Sequence, residues 1–313
     1  MMKECKRFYS KILLFGEYAL MAGSEALSIP YSKLEGAFAF QPQQQTTLDS
    51  NSHLKKYAAY LRQLSQKKHF SGKLDVAQFE NDVNRGLVFN SNIPSGYGLG
   101  SSGALVAAVY DRYGRDKIPA DDQLSNEKLA VLKQTMAEME SWFHGKSSGL
   151  DPLICYLQKA VKVESDNRLK IVDLPHFETS SGGAVFLLDT EMTGETQPLV
   201  RYFVKQCEDP AFSEKLKTEL IPLNSGCIRS YLAGDALSLL PVVEKLSAFT
   251  LQYFRPMIPE KLLPLWQKGL ENNLCSLKLC GSGGGGMMLG FTRDFEQTKN
   301  FLKPFSLQIV QQF

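Results

Sequence analysis

The stretch Asn92-Ile93-Pro94-Ser95-Gly96-Tyr97-Gly98-Leu99-Gly100-Ser101-Ser102-Gly103-Ala104 decides how this chain is read. Before it, the alternating apolar run over residues 83–90 predicts a strand. After it, the alanine- and valine-rich residues 104–113 contain no breaker and predict a buried helix. A glycine-rich turn feeding a helix N-terminus is an anion site in waiting. Gly96, Gly98 and Gly100 permit close backbone approach, and the unpaired amides of the first helical turn point at whatever sits there. Ser101 and Ser102 stand where a hydroxyl can cap the helix, bind a phosphate oxygen or ligate Mg²⁺. On glycine and serine content alone, a flexible loop before a capped helix reads the same way. The order is not that of a Walker loop, because no Gly-Lys-Ser/Thr follows, and it does not fit a dinucleotide-binding GxGxxG.

Working outward, the whole chain has 313 residues, 43% hydrophobic and 22% charged, an ordinary globular composition with room for two packed domains or one large α/β unit. A net charge of +2 argues against a nucleic-acid groove or a polybasic membrane patch. No stretch has the length of a transmembrane span, and Met1-Met2-Lys3-Glu4-Cys5 is not the start of a signal peptide. The six cysteines are scattered without a CxxC pair or zinc spacing, as expected of reduced thiols in the cytoplasm. His53, His69, His144 and His176 form no metal-ligand pattern either, so zinc chemistry is not expected.

Towards the N-terminus, residues 11–15 (Lys-Ile-Leu-Leu-Phe) read as a buried strand ended by Gly16-Glu17, and residues 26–30 and 36–40 as two further strands. Lys11 by itself reads as a solvated strand-edge lysine. Residues 41–52 read as a polar surface loop, and residues 54–64 as a helix with Leu54, Tyr57, Ala58, Leu61 and Leu64 on one face. Residues 122–143 predict a second long helix carrying Leu129, Leu132, Met136, Met139 and Phe143 on its apolar face, with Glu140 near its end. The run His144-Gly145-Lys146-Ser147-Ser148-Gly149-Leu150-Asp151-Pro152 follows. Here Ser148 can cap a new helix, and Asp151 falls in its first turn as a carboxylate satisfying orphan amides.

Further on, residues 159–163, 169–172 and 184–188 predict strands, and residues 175–183 a linker. Thr193-Gly194 reads as a loop near substrate. Residues 198–270 are mostly helical, without a catalytic constellation. The last signal, Leu277-Lys278-Leu279-Cys280-Gly281-Ser282-Gly283-Gly284-Gly285-Gly286-Met287-Met288-Leu289, is strand, oligoglycine turn, strand. Such a turn is costly to order and marks a backbone that must come very close to something.

Pro94 with Gly98-Leu99-Gly100-Ser101-Ser102 resembles the Pro-x-x-x-Gly-Leu-Gly-Ser-Ser signature of the GHMP kinases, the superfamily of galactokinase, homoserine kinase, mevalonate kinase and phosphomevalonate kinase. Lys11 to Ala19, continued by Ala26-Leu27-Ser28-Ile29-Pro30, is similar to the first motif of mevalonate kinases, with Tyr18 where they carry histidine. Glu140, His144, Gly145, Ser148, Gly149 and Asp151 match the spacing of their Glu-x-x-x-His-Gly-x-x-Ser-Gly-x-Asp, with Ser147 in place of the usual proline. The oligoglycine turn looks like their third motif, with Ser282 for alanine and Lys278 as a structural strand contact.

The resemblance implies an α+β fold in two domains. The first, residues 1–178, carries a ribosomal-S5-like mixed sheet with helices; the second, residues 179–313, is a sheet covered by helices. It also implies an active site between the two. It makes Asp151 the carboxylate that accepts or orients the substrate hydroxyl proton and Lys11 an active-site cation. Ser102 and Glu140 become Mg²⁺ ligands. Pro94, Gly96, Gly98, Leu99, Gly100, Ser101, Ser102, Gly103, Gly283 and Gly284 become ATP contacts, and Glu17, Tyr18, His144 and Ser282 substrate contacts. The expected partners are ATP and a small hydroxylated acid or sugar, with no nucleic acid or membrane, and a homodimer is compatible with it. The expected reaction is transfer of the ATP γ-phosphate to the primary hydroxyl of mevalonate. Phosphomevalonate or sugar kinase activity, or the ATP-dependent diphosphomevalonate decarboxylase reaction, are the alternatives on the same fold. A non-enzymatic descendant would be expected to have lost Asp151, Lys11 or Ser102, and all three are present.

Overall fold

The computed structural model describes residues 6–41, 48–121, 123–177, 182–194 and 196–313. Residues 42–47 of the loop expected over 41–52, the helix start expected at Asp122 and the domain boundary expected at 178/179 lie outside these residues; residues 48–52 of that loop are helical instead. The chain opens with β1 (Phe8–Phe15) and β2 (Ala26–Phe40). Next come α1 (Leu48–Ser65), β3 (Lys73–Leu74), α2 (Val76–Asn84), β4 (Leu87–Ser91) and α3 (Ser101–Tyr113). They are followed by β5 (Gly114–Arg115), α4 (Asn126–His144), α5 (Leu150–Leu157), β6 (Ala160–Val163), β7 (Leu169–Val172) and β8 (Ala184–Asp189). A helical stretch holds α6 (Thr196–Gln206), α7 (Pro210–Lys215), α8 (Ile221–Leu232), α9 (Ala236–Tyr253) and α10 (Leu263–Glu271). The chain closes with β9 (Ser276–Leu279), β10 (Met287–Thr292), α11 (Phe295–Phe301) and β11 (Leu307–Gln312). The fold is α+β.

These elements form two compact units that interleave along the sequence. One comprises Met1–Lys11, Ile29–Ser95 and Gly100–Lys159; the other comprises Ile12–Ser28, Gly96–Leu99 and Ala160–Phe313. Both β1 and β2 pass from one unit into the other.

In the first unit, the second half of β2 pairs antiparallel with β4, from Gly36 opposite Ser91 to Phe40 opposite Leu87. The helices bury the faces their sequence periods dictate. Leu54, Tyr57, Ala58, Leu61 and Leu64 of α1 are buried, as are Leu129, Leu132, Met136 and Met139 of α4. The strand expected over 83–90 is shorter than its pattern suggested. Asp75 caps α2, its Oδ1 accepting from the Gln78 N–H at 3.1 Å, and Phe79 and Val83 continue that helix's buried face. Gly86, at φ +95°, then turns the chain into β4.

In the second unit, β11, β8, β10 and β9 form an antiparallel sheet in that order. Residues 184–188 of β8 are entirely buried, matching their uninterrupted apolar run. The first half of β2 pairs with β6, and β6 with β7. The two strands expected at 26–30 and 36–40 are one, because β2 changes partner from β6 to β4 without ending. Trp266 of α10 is fully buried and donates its indole N–H to Ser247 Oγ of α9 at 2.8 Å, which satisfies both polar groups inside the helical layer. Among the described residues no helix is long and apolar enough to cross a membrane.

Candidate active site

The first unit assembles a compact polar cluster at the N-terminus of α3. Gly100 is the helix N-cap at φ +79° and offers no side-chain cap, so the first-turn amides remain available to an anion. A Cβ on Gly100 would stand 2.9 Å from Lys11 Cγ, so the absent side chain is what lets the lysine stem pass. Gly103 performs the same service one turn later. A Cβ there would lie 2.9 Å from Pro152 N and 3.0 Å from Asp151 C, so its absence lets the start of α5 press against α3. The two glycines thereby bring Lys11 and Asp151 to the helix end that carries Ser101 and Ser102. Lys11 Nζ lies 2.9 Å from Asp151 Oδ2; the lysine side chain is 4% exposed and the carboxylate 36%.

Beside this pair, Glu140 projects from α4 with only 4% of its surface exposed. Ser102 Oγ donates to Glu140 Oε1 at 2.9 Å, and Ser147 Oγ donates to Oε2 at 2.5 Å. His144 Nε2 stands 3.0 Å from Ser102 Oγ and completes the network. Burial raises the Glu140 pKa to about 7. The charge of Asp151 adds to that rise, while the two serine hydroxyls and Lys11 oppose it.

These residues suit a hard divalent cation. Ser102 and Glu140 are an all-oxygen donor pair already in mutual contact. Among the described residues no group of three or more His, Cys, Asp or Glu is placed to hold a metal.

The second unit holds the remaining predicted residues and gives several of them packing tasks. Tyr18, at φ +58°, is buried between Phe203 and Phe254, with ring centroids 4.7 and 5.4 Å away. Its hydroxyl donates to the Ser282 carbonyl at 2.7 Å. The resemblance makes Tyr18 a substrate contact; in the structure the same hydroxyl ties the ring to the oligoglycine turn. Glu17 pairs with Lys278 at 2.7 Å, both side chains nearly buried. Its other oxygen, Oε1, is buried without a hydrogen-bond partner among the described residues.

The close approaches that the glycines permit are largely to protein backbone. A Cβ on Gly98 would stand 2.7 Å from the Cys280 carbonyl, and one on Gly283 2.5 Å from the Met257 carbonyl. The Gly284 N–H is donated to that same Met257 oxygen at 2.7 Å. Leu99 is buried, whereas Gly96 and Ser95 are exposed and Pro94 is half-buried. Two interactions escaped the sequence reading. Ser147 stood out only as a replaced proline, and nothing local marked Lys278 as the partner of Glu17.

Residues 53–159 match the family model of the GHMP kinases N terminal domain. The fold of the whole chain is similar to that of L. major mevalonate kinase in complex with R-mevalonate, at 15% identity over 99% of this chain and 97% of that one, with a TM-score of 0.63. It is similar to Streptococcus pneumoniae phosphomevalonate kinase in complex with phosphomevalonate and AMPPNP, at 15% identity over 98% and 100% of the two chains, with a TM-score of 0.63. It is also similar to Lactococcus lactis galactokinase complexed with galactose, at 13% identity over 99% and 94%, with a TM-score of 0.63. No curated protein matches the sequence. At such identities the structural likeness is one of fold. The match to the GHMP kinases N terminal domain is confined to residues 53–159, and the rest of the chain shares the fold of these kinases. Ser102, Glu140 and Asp151 of the polar cluster lie inside the matched segment, and Lys11 packs against them.

Proposed function

We propose that this protein transfers the γ-phosphoryl group of ATP to the primary hydroxyl of mevalonate, in the cytoplasm, as a step of isoprenoid precursor synthesis. The observation that carries the reading is the 2.9 Å contact between Lys11 and Asp151 at the end of the phosphate-loop helix. The exposed part of the Asp151 carboxylate accepts a hydrogen bond from the substrate hydroxyl and takes its proton as the oxygen attacks the γ-phosphorus. Lys11, fixed by that carboxylate, lowers the proton affinity of the hydroxyl and offsets charge on the transferring phosphoryl group. The first-turn amides of α3 hold phosphate oxygens. Ser102 and Glu140 would hold Mg²⁺, which supplies positive charge to the nucleotide phosphates when bound. Among the described residues, Cys155, Cys207, Cys227, Cys275 and Cys280 are free thiols.

The choice of mevalonate rests on the resemblance of the segment from Glu140 to Asp151. A phosphomevalonate kinase and a galactokinase share the fold at the same TM-score of 0.63. An ADP-release assay over mevalonate, phosphomevalonate, galactose and homoserine therefore tests the proposal. Turnover of mevalonate well above the other three is expected, and preference for another acceptor overturns the substrate assignment. Release of CO₂ with diphosphomevalonate would replace a kinase by a decarboxylase.

A further inference from the structure

Glu140 presents a problem of orientation that its helix does not solve. The terminal torsion of a glutamate is broad and roughly two-fold, so a rotamer well does not aim the carboxylate plane. Contacts at both oxygens must do so. Ser102 Oγ occupies Oε1 from α3. Ser147 Oγ occupies Oε2 from the turn between α4 and α5.

The Ser147 hydroxyl is itself directed. It accepts the Gly149 N–H at 3.0 Å, which ties its lone pairs to the turn and leaves its hydrogen for the carboxylate. That hydrogen goes to Glu140 Oε2, 2.5 Å from the Ser147 Oγ. Ser148, next in the chain, accepts the Leu150 N–H at 3.3 Å instead. The two adjacent serines thus divide the work, one on the carboxylate and one on the start of α5.

We propose that Ser147 is a positioning residue, which clamps Glu140 Oε2 and so holds the carboxylate in the orientation in which Glu140 and Ser102 receive a divalent cation. This rests on the reading of Glu140 as a cation ligand. Ser147 touches neither nucleotide nor acceptor in this account and acts only through Glu140.

The test is Mn²⁺ binding to the full-length protein in the presence of ADP, followed by the electron paramagnetic resonance of free Mn²⁺. Wild type is compared with Ser147→Ala, Ser147→Thr, Glu140→Gln and the Ser147→Ala/Glu140→Gln double variant. Ser147→Ala should weaken Mn²⁺ binding by about tenfold, the loss of one hydrogen bond to a charged group. ADP affinity in EDTA should stay within about twofold, and Ser147→Thr should restore Mn²⁺ binding. Glu140→Gln should weaken binding at least as much, and the double variant should be no worse than Glu140→Gln alone. If Ser147→Ala fails to fold, Ser147→Cys keeps the shape while weakening the donor and gives the same reading.

Wild-type Mn²⁺ affinity in Ser147→Ala beside a defective Glu140→Gln overturns the role of Ser147 and leaves the cation reading standing. A Ser147→Ala loss that adds to that of Glu140→Gln also overturns it, since the serine would then act elsewhere. Unchanged binding in Glu140→Gln removes the cation reading and the proposal together.

Discussion

Lys11 Nζ sits 2.9 Å from Asp151 Oδ2, a buried ammonium held against a carboxylate that keeps 36% of its surface. The arrangement makes one residue the electrostatic anchor of the other. Asp151→Asn should lower kcat by about 10²-fold or more while leaving ADP affinity in EDTA within about twofold. It should also lower the Tm, because the buried Lys11 ammonium loses its ion pair with Asp151. Adding Lys11→Met should recover Tm without recovering turnover. Steady-state kinetics and thermal unfolding measure both, and near-wild-type turnover in Asp151→Asn would remove the assignment.

Gly103→Ala is informative because its sign separates two effects. In an exposed helix interior, alanine in place of glycine stabilises by up to about 1 kcal/mol. Here the added methyl would stand 2.9 Å from Pro152 N and 3.0 Å from Asp151 C, both backbone atoms. Overpacking of this kind costs roughly 1–3 kcal/mol. The variant should therefore be less stable in urea titration and should lose kcat as α5 shifts Asp151. A more stable variant would mean that the α3–α5 contact yields freely.

Glu140 should make the metal-free protein pH-sensitive. Its folded pKa is raised to about 7, above the ordinary carboxylate value, first by burial and then by Asp151. The native state therefore keeps a proton that the unfolded state has released. That contribution is fully present below the unfolded pKa and is lost as pH rises through about 7. In EDTA, the Tm of wild type relative to Glu140→Gln should fall between about pH 5 and pH 8. Parallel Tm profiles for the two proteins would contradict the buried carboxylate's share.

Tyr18→Phe removes one hydroxyl, the donor to the Ser282 carbonyl at 2.7 Å. The ring contacts with Phe203 and Phe254 remain. Stability should drop by about 1 kcal/mol, while the KM for the acceptor changes by less than about twofold. A five- to tenfold rise in acceptor KM at unchanged stability would return Tyr18 to the substrate.

What the sequence determined is what short-range rules encode. The buried faces of α1 and α4 were legible because helical period is a local property, visible in Leu54, Tyr57 and Leu61 or in Leu132, Met136 and Met139. The glycine turn feeding α3 was legible because left-handed backbone and unpaired first-turn amides are demands of a few adjacent residues. The strand misread over 83–90 shows the limit, since an apolar alternation of a few residues fits the last turn of a helix as well as a strand.

Only the tertiary structure decided who meets whom. The partnership of Glu17 with Lys278 and the clamp of Ser147 on Glu140 arise where distant segments pack, and no period in the chain records them. Likewise, Gly98 and Gly283 announced a close approach, but that it is to the carbonyls of Cys280 and Met257 could be read only once those backbones were in place. A glycine states that space is needed; packing alone states what fills it.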